Sequence, residues 1–274
     1  MLRRRKRKQA PVENDDGEWS TSVDLIDDTM ASIQLCLNRN NDAFVALGLP
    51  PIVLWHQLYT ILPNRTFIDQ NVHRLQSNGK LITLKISSGS RDLAILRTED
   101  YIAEVKQYEN VFCEQLRQHQ ASLAVSTKLD AMAAYGRILP FISSYTTVPL
   151  NALISIFEKN WGNLCESEAR AMVRLIQRLG FLLPTTRLDD EAYSFSVPGI
   201  GKLVSSITKT RTSIINILKR TKYKEMHEQQ LKKKKLKHSH FQLEFHLADM
   251  EGCGLVKRTE VTSGILVALA DNCR

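Results

Sequence analysis

Residues 72–86, VHRLQSNGKLITLKI, followed by SSGSR (87–91) and DLAILRTEDY (92–101), decide how this chain is read. Leucines at helical spacing run up to Asn78-Gly79, a pair that stops helices because glycine adopts the left-handed conformation a C-terminal cap requires. Two short β-rich runs around a polar turn then predict a hairpin. The same order returns in VRLIQRLGFLLPTT (173–186), RLDDEA (187–192) and YSFSVPG (193–199), with Gly180 in the stopping position. A third copy is FHLADMEGCGLVKRTE (245–260), a VTSG turn and ILVALA (265–270), with Gly252 or Gly254 ending the helix.

Helical material precedes each hairpin. Before the first come PIVLWHQLYTIL (51–62) and a helix begun near Asn64, Arg65 and Thr66; before the second come KLDAMAAYGRILPFIS (128–143), PLNALISIF (149–157) and SEARAMVRLIQRL (167–179), with Ser167 and Glu168 at the last helix start. A long basic stretch precedes the third. Helices followed by a hairpin make the winged-helix unit, a helix-turn-helix variant whose hairpin is the wing. The predicted fold class is therefore α+β, mainly helical, with three tandem winged-helix domains. The expected divisions are a basic and acidic tail at 1–22 and units at 23–106, 107–197 and 198–274.

Charge is concentrated. The 274 residues carry a net +8, but RRRKRK (Arg3, Arg4, Arg5, Lys6, Arg7, Lys8) contributes +6 and residues 202–237 contribute +10, which leaves the rest at −8. Two basic segments on a mildly acidic body predict a polyanionic partner. The hexamer has the composition of a nuclear localisation signal, with direct nucleic-acid contact as the second reading and a solvated tail as the third. No apolar stretch backs the N-terminal charges, so no signal peptide is expected, and no run approaches the roughly 18 apolar residues of a membrane span. A soluble, intracellular protein without membrane contact is the expectation. Five widely spaced cysteines without a CxxC pair suit reduced thiols. His238, His240, His246 and Cys253 contain only one ligand-like spacing, the HxH pair, so neither a metal nor another cofactor is expected.

Gly199-Ile200-Gly201-Lys202-Leu203-Val204 raises the question of a phosphate loop. Val204 stands where a dinucleotide loop needs its third glycine. A P-loop would want glycine at Ser196 and a hydroxyl at Leu203. HRD, DFG, VAIK and APE kinase motifs are missing, as are GxSxG and HExxH, and Asp189-Asp190-Glu191 reads as a solvated turn. No catalytic residues are assigned. With residues 199–222 helical, Lys209, Arg220 and Lys224 fall within about 40° of Lys202, opposite Leu203, Ile207, Ile214 and Leu218. Arg211 and Lys222 fall nearer the apolar edge, which suggests snorkelling or a break near Thr210. Such a cationic face neutralises phosphates of double-stranded DNA, and the 232–235 lysine run adds to its field. The nearly charge-balanced first recognition helix, with Asp69, Gln70, His73 and Arg74, makes backbone contact with little sequence preference the expectation.

LPPIVL (49–54), NRTFID (64–69), LxxxGK around Gly79, TEDY (98–101), VPGIGKL (197–203), Lys209-x-Arg211, KRTKYKE (219–225), TSG (262–264) and the RRRKRKQAPVE tail resemble the serine/threonine-protein kinase nineteen family. Despite the name, the resemblance implies three winged-helix domains that bind DNA in the nucleus. It also implies a role in repair of transcription-blocking damage, beside RNA polymerase II and its repair factors, and self-association as a homodimer. By position it carries phosphate binding onto Lys209, Arg211, Lys219, Arg220, Lys222 and Lys224; Lys202 joins them from the helical face alone. A protein-interaction scaffold is the alternative reading, and a serine/threonine kinase the remote one.

Overall fold

A computed structural model describes residues 21–86, 92–118, 123–161, 165–185 and 191–270. The basic hexamer, the 87–91 turn and Asp189-Asp190 lie outside them. The first stretch contains α1 (Thr21–Leu47), β1 (Val53–Leu54), a 3-10 helix (Trp55–Thr60), α2 (Arg65–Ser77), β2 (Leu81–Lys85) and β3 (Leu93–Arg97). The second contains α3 (Thr98–Arg117), α4 (Leu123–Ile142), β4 (Val148–Pro149), α5 (Leu150–Trp161), α6 (Glu166–Leu179), β5 (Leu182–Pro184) and β6 (Ala192–Phe195). The third contains α7 (Ile200–Lys219), β7 (Glu225–His227), α8 (Glu228–Lys232), α9 (Leu243–Gly252), β8 (Val256–Val261) and β9 (Gly264–Leu269). The chain is thus a mixed α and β protein in which helix, short strand, helix, helix and hairpin recur three times. In each stretch the short strand pairs antiparallel with the second hairpin strand: β1 with β3, β4 with β6 and β7 with β9.

The three glycine stops share one geometry. Gly79, Gly180 and Gly254 have φ of 68°, 94° and 75°. The next amide donates back five residues in every case: Lys80 to Leu75, Phe181 to Ile176 and Leu255 to Met250. This closes the last helical carbonyls and turns the chain into its hairpin. Asn64 begins α2 by accepting from the Phe67 amide at 3.1 Å, and Glu168 reaches back to the Cys165 amide at 3.0 Å to begin α6. Residues 51–62 depart from the helical expectation: Val53-Leu54 pair with β3, and only a 3-10 turn follows. Pro51 holds the entry extended, and the short element leaves no room for an α-helix. The expected division at 106/107 falls inside α3, whereas 197/198 falls between β6 and α7.

The stretches do not bury their apolar surface separately. One core joins Ile82, Leu84 and Leu96 of the first stretch to Tyr135, Phe157 and Phe195 of the second, and takes in Leu203 and Ile207 of α7 with Phe241 and Phe245. The first two hairpins share a sheet through a parallel bridge between Leu84 and Phe195. Smaller cores lie under Leu58, Ile68 and Val72, and under Ile214, Leu247 and Val267.

α9, which stands where a winged helix carries its recognition helix, is buried along most of its length against the 3-10 helix of the first stretch. Gly252 makes that approach possible, because a Cβ there would sit 1.9 Å from the His56 carbonyl oxygen. On α7, a Cβ at Gly201 would meet nothing within 4 Å. Gly201→Ala is therefore expected to stabilise by about 0.5–1 kcal/mol, as helix propensity dictates. Gly252→Ala, despite the same propensity gain, is expected to lose about 1–3 kcal/mol through overpacking. Urea unfolding of the two variants checks the opposite signs.

Candidate nucleic-acid interface

α7 begins at Gly199, whose φ of 80° lets the chain turn out of β6, and its 20 residues extend about 30 Å. Its sequence contains no carboxylate. Leu203, Ile207, Thr210, Ile214 and Leu218 are buried. Lys202, Thr208, Lys209, Thr212, Asn216, Lys219 and Arg220 are exposed, so one face offers cations, hydroxyls and an amide. From Lys202 to Arg220 that face runs about 27 Å at 1.5 Å per residue.

The helix ends earlier than its periodicity suggests. Lys219 is its last residue, and the Thr221 hydroxyl donates to the Leu218 carbonyl at 2.7 Å. Lys224 takes φ of 57°, and its carbonyl accepts from the Leu269 amide at 3.0 Å. Lys222 and Lys224 therefore occupy a turn leading into β7, and Lys224 is not stacked beneath Lys202 on a helical stripe. Exposed Lys222 lies with Nζ 5.1 Å from the Tyr223 ring centre.

Arg211 is apart from the exposed row. Its Nε and Nη2 donate to the two oxygens of Asp249, each at 2.6 Å, and its Nη1 reaches Asp92 at 3.1 Å. Asp249, fully buried, also accepts from His56 Nε2 at 2.6 Å. No break occurs near Thr210; the guanidinium turns inward because two carboxylates meet it there. Burial alone would lower the Arg211 pKa, but Asp249 outweighs it and holds the guanidinium above its ordinary value. Burial would likewise raise the Asp249 carboxyl, yet bonds from Arg211 and His56 keep it below the usual range. Sequence patterns do not single out Asp249, His56 or Asp92. The one signal pointing to them is an arginine on the apolar side of an amphipathic helix.

The lysine run is partly neutralised and partly displayed. Lys232 lies 2.6 Å from Glu244 and 3.3 Å from Glu228. Lys233, Lys234, Lys235 and Lys237 are exposed, while Leu236 tucks against the third core. The Ser206 hydroxyl donates to the His238 carbonyl at 2.9 Å, which sets this loop beside α7. On α2, Asp69 is occupied by Trp55 Nε1 at 2.8 Å and the Tyr59 hydroxyl at 2.6 Å, while Gln70, His73 and Arg74 are exposed.

A groove of about 550 Å³ beside α7 is lined by Ile86, Leu183, Ile200, Gly201, Val204, Ser205, Thr208 and Lys209, with no carboxylate. Among the described residues no group of three His, Cys, Asp or Glu side chains is spaced to hold a metal ion. No helix among them is long and apolar enough to cross a membrane. His246 meets Ser239 through Nε2, and among the described residues its Nδ1 has no hydrogen-bond partner, so no triad forms.

The buried charges make two expectations. Arg211→Met strands Asp249 and is expected to destabilise by about 3–5 kcal/mol, whereas Arg211→Met with Asp249→Leu costs less than either single change. Chemical denaturation of the three variants checks this; additive losses contradict it. Burial, only partly opposed by Asp249, pushes the His246 imidazole down to about 4 from 6.5. The unfolded chain therefore binds the extra proton between those values, and stability falls as pH drops from about 6.5 toward 4. The slope approaches about 1.4 kcal/mol per pH unit. His246→Gln is expected to flatten the pH dependence of the unfolding midpoint across that window.

Comparison with known proteins bears on the same region. The family described as inactive serine-threonine protein kinase 19 matches residues 36–269. A Homo sapiens protein named winged helix repair factor 1 is 24% identical over 271 residues, covering 98% of this chain and 94% of its own length. Proteins of the same name from Dictyostelium discoideum and Xenopus laevis are each 25% identical, over 280 and 225 residues. They cover 93% and 81% of this chain and 68% and 76% of their own lengths. A match that starts within α1 and runs to the last residue of β9 includes all three hairpins and the whole of α7, and the chain belongs to the inactive serine-threonine protein kinase 19 family.

Proposed function

We propose that this chain is a nuclear, non-enzymatic DNA-binding protein. Its three stretches act as tandem winged-helix domains, the second and third divided at 197/198 and the first joined to the second at the start of α3 instead of at 106/107, and it serves as an adaptor in transcription-coupled nucleotide excision repair. The carrying observation is the outward face of α7: four cations, Lys202, Lys209, Lys219 and Arg220, without a carboxylate on the helix. A row about 27 Å long approaches one turn of duplex, roughly 34 Å. Lys222 and Lys224 extend it past the helix end, and the displayed lysines at 233–235 and 237 add field beside it. Arg211, the remaining position carried over from the family, serves in this reading by holding α7 in place through Asp249. The relatives' printed names, which join winged helix to repair, support the repair role. RRRKRK supports nuclear entry, and RNA polymerase II-associated repair factors are the proposed protein partners.

A second reading, a protein-interaction scaffold, is favoured by the burial of α9: one recognition-position helix is already used for protein contact. The two make different demands on salt. Phosphate neutralisation gives a slope of about −0.9 in log K against log salt per contact. For four to six contacts, affinity for a labelled duplex is expected to fall by about 10²–10³-fold between 50 and 200 mM salt. Lys209→Glu, Lys219→Glu, Arg220→Glu and Lys222→Glu together are expected to abolish that binding without moving the thermal midpoint. Unchanged duplex affinity in the quadruple variant would reject the DNA reading.

A further inference from the structure

We propose that Tyr223 is a base-stacking residue, so that the basic surface prefers DNA containing unpaired bases over intact duplex. The inference rests on the DNA-binding reading and specifies the form of DNA it favours. Tyr223 is 67% exposed. It stands in KRTKYK, directly after Lys219, Arg220 and Lys222 and before Lys224. Of the strongly exposed large apolar side chains among the described residues, only this one lies within a run of cations. An aromatic ring set in a basic track is the combination that binds single-stranded nucleic acid, the cations following the backbone while the ring takes a base.

The turn is built to hold the ring out. The Thr221 amide donates to Leu218 at 3.0 Å, the Lys224 amide to Thr221 at 3.2 Å and the Leu269 amide to Lys224 at 3.0 Å, tying the turn to both α7 and β9. Lys224 is the one non-glycine residue with positive φ among the described residues, a conformation that persists where neighbouring bonds impose it. The cation placed over the ring is Lys222, with Nζ 5.1 Å from its centre. A pre-ordered ring stacks with little loss of conformational freedom.

Intact duplex offers such a ring nothing to stack on, because its bases are already stacked on each other. Where bases are unpaired, a face becomes available. The stacked base gains a factor of about 5 to 150 in affinity by the usual range for such contacts.

The test compares a labelled duplex with one of equal length carrying a central mismatched bubble, at one salt concentration, by fluorescence anisotropy. The wild-type chain is expected to bind the bubble at least about 5-fold more tightly. Tyr223→Ala is expected to bring the ratio near one while leaving duplex affinity within about 2-fold, and Tyr223→Phe to keep the preference. Duplex binding with a wild-type ratio near one, or a ratio unchanged in Tyr223→Ala, overturns this inference alone. Loss of duplex affinity in Tyr223→Phe overturns it too, since a hydroxyl donating to phosphate would then explain the residue. Absence of salt-dependent binding to both DNAs overturns the DNA reading and this inference with it.

Discussion

One carboxylate organises the molecule. Asp249 on α9 receives Arg211 from α7 and His56 from the first stretch, while Arg211 spans onward to Asp92 at the start of the first stretch's second hairpin strand. Four side chains separated by as many as 193 positions thereby fix the third stretch against the first. A buried charge cluster is a poor source of net stability, since desolvation offsets much of the attraction. Its strength lies in direction: any other docking of α9 leaves an ion buried without its partner. The Gly252 contact with the His56 backbone requires the same approach, so close packing and charge pairing select one arrangement.

That arrangement explains why the basic row of α7 is displayed as a single surface. The first half of α7 buries Leu203 and Ile207 in the core shared by the first two stretches; the second half buries Ile214 and Leu218 in the third core. Arg211 sits between the two halves. With both ends of its apolar stripe and its one inward cation engaged, the helix has no rotational freedom, and the opposite face must point to solvent. Display of the lysines is thus a consequence of how α7 bridges the large shared core and the third core.

The hairpins are legible in the sequence because each depends on a local rule: a left-handed glycine, a returning amide and a β-rich pair of runs. The end of α7 is not legible in the same way. Periodicity continues through KRTKYK, and what stops the helix is the Thr221 hydroxyl and a distant strand, β9, that takes the Lys224 carbonyl. Arg211 can be seen to lie on the wrong side of its helix, but its partners lie 38 and 119 positions away, beyond any local pattern. Burial of α9 is equally hidden. FHLADM has the composition of a buried helix, yet nothing in it tells a core face from a face covered by another part of the chain. The 3-10 turn at Trp55 misleads for the opposite reason: an apolar run suggests a helix where neighbouring strand pairing leaves only six residues.

The two glycines near Lys202 show how composition alone misleads. Gly199 is needed for φ of 80° at the joint between β6 and α7, and the same joint presses Pro198 against Gly180, where a Cβ would lie 3.2 Å from the Pro198 Cα. Gly201 has open space around it. A phosphate loop needs glycines so that backbone amides can curl around the anion. Here one glycine sets a turn and the other lies within the first turn of a helix, while Leu203, where a P-loop places its metal-binding hydroxyl, is buried in the core. On the proposed DNA-binding reading, phosphate affinity in this part of the chain therefore comes from side-chain charge along the helix. Side-chain charge of that kind is read by polymers of phosphate spaced over tens of ångströms and only weakly by a single nucleotide.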